Sequence, residues 1–205
     1  AHRANDADLL LVAMGSAIEA AEAVADRLRS IKKLKVGVLG IRSLRPFPSD
    51  LIAEQLRSNQ TICVLERLDS SAAIDPPLLR ELTAAINLSH GNTGQADSAR
   101  TGKGPRLLSV LYGMGGLPLR AADIIELCLR ADSIQQRQVY LGISFEQAAD
   151  PHPKRQVLLD RLRRNYPNLA DLGLTGNPAD EPHLAPEDAV SLAFHRISGS
   201  ENDGL

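Results

Sequence analysis

The sequence predicts an α/β protein built on a mostly parallel sheet covered by helices on both faces. Three observations carry that expectation. Five short apolar runs begin near Leu9, Leu34, Thr61, Arg106 and Gln138. The stretches between them place apolar residues at helical spacing. Strands that alternate with helices in this way form parallel βαβ units with right-handed crossovers. No convincing internal repeat is present.

The first run, 9–14, is continuously apolar and ends at Gly15, as expected of a strand buried on both faces. Ser16-Ala17-Ile18-Glu19 then predicts a capping box that opens a helix. Ile18, Ala21, Ala25 and Leu28 form its apolar stripe, and Glu22, Asp26 and Arg29 face away. Residues 34–41 are the second strand, led by Val36, Val38 and Ile41. A rigid connection follows through Arg42, Arg45, Pro46, Phe47 and Pro48, where Pro46 disfavours the α region at Arg45. A helix is expected from Pro48 or Ser49 to about 58.

Residues 61–65 are the third strand, with Glu66-Arg67-Leu68-Asp69 behind it. Asp75 is placed to cap a helix that starts at Pro76-Pro77 and buries Leu78, Leu82, Ala85 and Ile86. The polar stretch 89–104 reads as a long exposed loop. The fourth strand, 106–112, turns at Gly113-Met114-Gly115-Gly116-Leu117-Pro118. A helix over 119–131 buries Ala121, Ile124, Ile125 and Cys128, and 138–145 is the fifth strand. Beyond Asp150 the character changes to a basic helix over 153–166, with Lys154, Arg155, Arg161, Arg163 and Arg164. A Pro- and acid-rich linker covers 176–188, and 190–198 reads as a new strand. The expected organisation is therefore an α/β domain at 1–150, helix and linker at 151–189, and the truncated start of a following domain at 190–205. The N-terminal Ala-His-Arg-Ala-Asn, without a start Met or a signal pattern, reads as a cut edge.

The chain has 205 residues, 43% of them apolar, and a net charge of −2. That balance gives no field to draw nucleic acid or an anionic membrane surface. Three Phe, three Tyr and no Trp leave little surface for stacking bases. No apolar run reaches the roughly 18 residues of a membrane span. Cys63 and Cys128 lie inside apolar segments without a C-x-x-C, as expected of inert buried thiols in a cytoplasmic protein.

The strand C-terminal ends are where such a sheet holds ligands. Met14-Gly15-Ser16 has one glycine, short of a dinucleotide fingerprint. Gly113-Met114-Gly115-Gly116 has the glycine density without the spacing, and suits either an anion or close backbone packing. Gly102-Lys103-Gly104 lacks the first P-loop glycine. Arg42 and Arg45 beside Phe47 suit carboxylate or phosphate recognition, or a structural salt bridge to Glu66 or Asp69. His2, His90, His152, His183 and His195 have no ligand spacing, so neither a metal site nor a catalytic triad is expected.

Several of these segments, taken in order, resemble one family. Ala13-Met14-Gly15-Ser16, Lys35-Val36-Gly37-Val38-Leu39, Ile41 through Phe47, Val64-Leu65-Glu66-Arg67 and Leu111-Tyr112-Gly113-Met114-Gly115 look like the second domain of pyruvate:ferredoxin or flavodoxin oxidoreductases, over about 7–146. Ser43 and Leu44 depart from the family's usual Leu-Tyr, and the tail lacks the glycine-rich loop of a next domain. The resemblance implies a domain similar to the C-terminal domain of transketolases. That is a three-layer α/β/α sandwich whose five-stranded sheet has an antiparallel first strand. It further implies a parent enzyme that uses thiamine diphosphate, Mg2+ and iron–sulfur clusters to convert pyruvate or another 2-oxoacid and coenzyme A into acyl-CoA and CO2, with ferredoxin or flavodoxin as electron acceptor.

The Gly-Asp-Gly…Asn diphosphate pattern and a cysteine cluster are absent from these 205 residues, and no activating Glu is identifiable in them. The expectation is thus a domain with no catalytic, cofactor or metal residues of its own, joined to other domains or subunits of a homo-oligomeric parent. Arg42, Arg45, Phe47, Tyr112, Gly113, Gly115, Gly116 and Pro118 are its candidate interface residues. Two other readings remain open. One is a stand-alone flavodoxin-like module that holds a nucleotide or coenzyme A phosphate on loop 113–116. The other is an interaction protein that uses the basic helix 153–166.

Overall fold

The computed structural model describes residues 1–56, 60–67, 75–92, 104–144, 153–167 and 169–182. The strands are β1 (Leu9–Met14), β2 (Val36–Ile41), β3 (Thr61–Glu66), β4 (Arg106–Leu111), β5 (Gln138–Leu141) and β6 (Gly173–Leu174). The helices are α1 (Ala17–Lys32), α2 (Ser49–Ala53), α3 (Pro77–Asn92), α4 (Ala121–Arg130), α5 (Pro153–Asn165) and α6 (Leu169–Leu172). One sheet runs in the order β2-β1-β3-β4-β5-β6, and every strand pair is parallel.

Strand alternation sends two sets of side chains to opposite faces. Leu11, Ala13, Cys63, Leu65, Leu108 and Val110 share a core with Ala21, Val24, Ala25 and Leu28 of α1 and Ile124 and Leu127 of α4. Leu10, Val12, Ile62 and Val64 share another with Ile52 of α2 and Leu78, Leu79, Leu82 and Ile86 of α3. This is the three-layer α/β/α sandwich. Both cysteines are free and buried, and burial pushes the Cys63 thiol up to about 12.

Four local expectations change. The strand Leu9–Met14 is parallel to both neighbours, because the 16-residue helix α1 returns the chain to the same end of the sheet. Antiparallel pairing among the described residues is confined to one bridge, His2 to Val38, on the β2 edge. Second, the capping box does not form. Ser16 already sits in the α region (φ −63°, ψ −18°) and its side chain makes no cap bond, whereas a capping residue is normally extended.

Third, Arg29 is not on a solvated face. Its guanidinium donates to Asp6 Oδ1 and Oδ2 at 2.8 and 3.1 Å, to Arg3 O at 2.9 Å and to Val36 O at 2.6 Å. This clasp holds the N-terminal segment across Gly37, where a Cβ would lie 2.7 Å from Arg3 O. Fourth, the sheet gains a sixth strand from 173–174, and part of the expected linker is folded onto the domain. Gly176 packs so closely on Ala122 that a Cβ would overlap its carbonyl. Of the expected loop 89–104, residues 89–92 instead continue α3, while 93–103 and the expected strand 190–198 lie outside the described residues.

Candidate functional site

The C-terminal edge of the sheet brings together the ends of β1 to β5, and its polar groups fall into three sets. The first is at Glu66, which closes β3. Strand alternation turns its carboxylate toward α3, where it accepts from Leu78 N at 2.7 Å and Leu79 N at 3.2 Å. Burial outweighs these two donors and pushes the Glu66 carboxyl above the usual carboxylate range. Asp75, the expected cap of this helix, instead holds Arg137 at 2.6 Å.

The second set lies at the N-terminus of α4. Asp123, fully buried, accepts from Arg120 Nε at 3.0 Å, from the second guanidinium nitrogen at 2.6 Å, and from Gly176 N at 2.9 Å. Glu181 accepts from Ala121 N and Ala122 N at 3.0 and 2.8 Å. Glu181, like Glu66, thus serves backbone N–H groups that a helix start leaves open, whereas Asp123 ties the loop at Gly176 to the start of α4.

The third set is the group expected at an interface, and the structure divides it. Arg42, Arg45 and Phe47 follow β2, whereas Tyr112 to Pro118 follow β4. Three strand spacings of about 4.8 Å, about 14 Å in all, separate the two strands. Arg42 is exposed and makes no hydrogen bond or ion pair among the described residues. Arg45 pairs with Glu81 of α3 at 2.8 Å, rather than with Glu66, and also donates to Leu44 O at 2.8 Å. Asp69, its other expected partner, lies outside the described residues. Phe47 is half-buried against the α2/α3 core. Tyr112 is buried, Gly113 takes a left-handed φ of +76°, and Met114–Gly116 form a 3-10 turn. Gly116, Leu117 and Pro118 are exposed beyond it.

The sequence reading missed the capping roles of Glu66 and Glu181 and the loop-holding role of Asp123. A signal existed for Glu66 alone, an acid at the end of an apolar strand ahead of a Pro-Pro helix start. Glu181 acts on a helix 60 residues earlier in the chain, and no local pattern encodes that.

Among the described residues the donor set does not fit a Mg2+ or iron–sulfur site. Among the described residues no three His, Cys, Asp or Glu side chains converge on one point. Burial also holds both thiols well above the range in which a thiolate would ligate iron. Among the described residues no helix is long and apolar enough to cross a membrane.

Residues 7–124 match the family model described as pyruvate:ferredoxin oxidoreductase core domain II. A pyruvate synthase subunit PorA of Thermotoga maritima is 32% identical over 145 residues, covering 69% of this chain and 33% of that protein. The protein of the same name in Methanothermobacter thermautotrophicus is 26% identical over 145 residues, covering 71% of this chain and 33% of its own length. A pyruvate-flavodoxin oxidoreductase of Nostoc sp. is 36% identical over 87 residues, 42% of this chain and 7% of that protein. The chain thus spans 33% of the length of the PorA relatives it matches.

Proposed function

The chain belongs to the pyruvate:ferredoxin oxidoreductase core domain II family, and we propose that it is a non-catalytic structural and interface domain of a thiamine diphosphate-dependent 2-oxoacid oxidoreductase. The parent takes pyruvate or another 2-oxoacid with coenzyme A, releases acyl-CoA and CO2, and passes electrons to ferredoxin or flavodoxin. The cofactors of other domains supply that chemistry, and this domain supplies position. The relatives are subunits or segments of oxidoreductases, which makes domain partners the natural context.

One observation carries the structural role: the carboxylates of Glu66, Asp123 and Glu181, at the edge where such a sheet normally holds its ligands, all bind backbone N–H groups of this same chain. Exposed groups at that edge include Arg42 on one side and the 116–118 turn with Leu117 on the other. These are the contacts proposed for neighbouring domains, with Arg45, Phe47, Tyr112, Gly113 and Gly115 shaping them.

Arg42→Glu and Leu117→Asp test this in the whole enzyme, because both side chains are exposed and neither makes a hydrogen bond or ion pair among the described residues. Each substitution lowers the assembled fraction in native mass measurements, and 2-oxoacid oxidation falls with it. Wild-type assembly and turnover in both variants overturn the interface assignment.

A further inference from the structure

The end of β3 carries an arginine, Arg67, with no charge to meet among the described residues. Glu66 turns toward α3, so alternation sends Arg67 to the opposite face, beyond Cys63 and Leu65. There its stem lies along the turn after β4. A Cβ at Gly113 would sit 2.9 Å from Arg67 Cγ and 3.0 Å from Nε, on a backbone whose φ of +76° already disfavours a side chain. The fold keeps this track clear, yet the exposed guanidinium makes no hydrogen bond or ion pair among the described residues.

The strand registers place two further groups beside it. The β3–β4 register pairs Glu66 with Leu111, which sets Arg67 beside Tyr112. Tyr112 is 9% exposed and belongs to the same core as Ala17 of α1. Its hydroxyl has no partner among the described residues, and the Arg67 charge acts on it. The start of α1 supplies the last group. Ser16 leaves the helix without a side-chain cap, and nothing lies within 4 Å of the position a Cβ would take at Gly15. The site falls between β1 and β3, where successive crossovers depart in opposite directions, and this is the point at which open α/β sheets take ligands.

We propose that this crevice binds the phosphate group of a small molecule, held by Arg67, the Tyr112 hydroxyl and the opening turn of α1. Donors on three separate elements suit an anion with three or four acceptor oxygens better than a planar carboxylate with two. Glu19, exposed in the first turn of α1, is the opposing charge, so Glu19→Gln tightens binding. The proposal does not rest on the assembly role above.

The test is hydrogen exchange on the intact polypeptide that carries this domain, with inorganic phosphate as probe and sodium acetate at equal ionic strength as control. Phosphate protects 14–18 and 110–117 saturably, and acetate does so at least about tenfold more weakly. Arg67→Ala shifts the phosphate midpoint at least about tenfold, Arg67→Lys and Tyr112→Phe by less. Gly113→Ala, which removes no charge but displaces Arg67, weakens it as well. Protection that is absent, equal with acetate, or unchanged in Arg67→Ala overturns the site. Native mass of the same samples reports assembly separately, so loss of one reading is distinguishable from loss of the other.

Discussion

Glu66 shows how much one side chain governs at the end of a strand. Its carboxylate replaces the missing acceptors of the first turn of α3 while only 9% exposed. Glu66→Ala leaves Leu78 and Leu79 N–H groups without an acceptor in a buried setting, a cost of about 1–3 kcal/mol. The pH dependence has a defined sign. The folded carboxyl lies above its unfolded value because of burial, so the contribution of Glu66 to stability is fully present below the unfolded value of about 4.3 and is lost as pH rises through the folded value. In melting curves across that window, Glu66→Gln declines less with rising pH than the wild type. Parallel curves for the two proteins contradict the assignment.

Among elements, the helices were legible where an apolar stripe decided them and illegible where caps did. Ala121, Ile124, Ile125 and Cys128 of α4 are all buried as their spacing predicts. The cap of α1 failed because Ser16 itself entered the turn, and the cap of α3 came from β3 rather than from Asp75. Capping residues are chosen by whichever acceptor the tertiary fold delivers, and short-range pattern does not report that. The same limit hid the N-terminal segment, which Arg29 ties down from α1. Arg29→Ala therefore frees residues 1–7, seen as faster amide exchange at Val38, whose N–H bonds His2 O at 2.7 Å. The Arg29 hydrogen bond holds the Asp6 carboxyl below the usual range. Its share of the clasp is thus present above the unfolded aspartate value of about 3.9 and disappears as pH falls through the folded value. Unchanged exchange at Val38 in the variant would falsify the clasp.

For the whole molecule, the alternation of strands and helices made the layered architecture readable, because continuous apolar runs such as Leu10–Ala13 have to be buried on both faces. The reach of the domain was not readable. The two-residue strand β6 is too short to show a period, and Gly142 N meets Leu174 O at 2.9 Å through pairing that only the folded sheet creates. A chain ending at residue 150 loses β6, the Gly176 bond to Asp123 and the Glu181 cap. It melts below a chain ending at 182 by about 2–4 °C per kcal/mol lost, and the cap alone is worth about 1 kcal/mol. Equal melting temperatures would show that 151–182 contributes nothing to the domain.

The strand order has a consequence for how the protein is made. After β1 and β2 pair, β3 joins the free side of β1, and β4, β5 and β6 then join one after another at that same margin. Each strand leaving the ribosome finds its partner already synthesised, and no pairing has to be undone to admit a later one. A parallel sheet, ordinarily a slow topology to assemble from a free chain, is here laid down in the direction of translation.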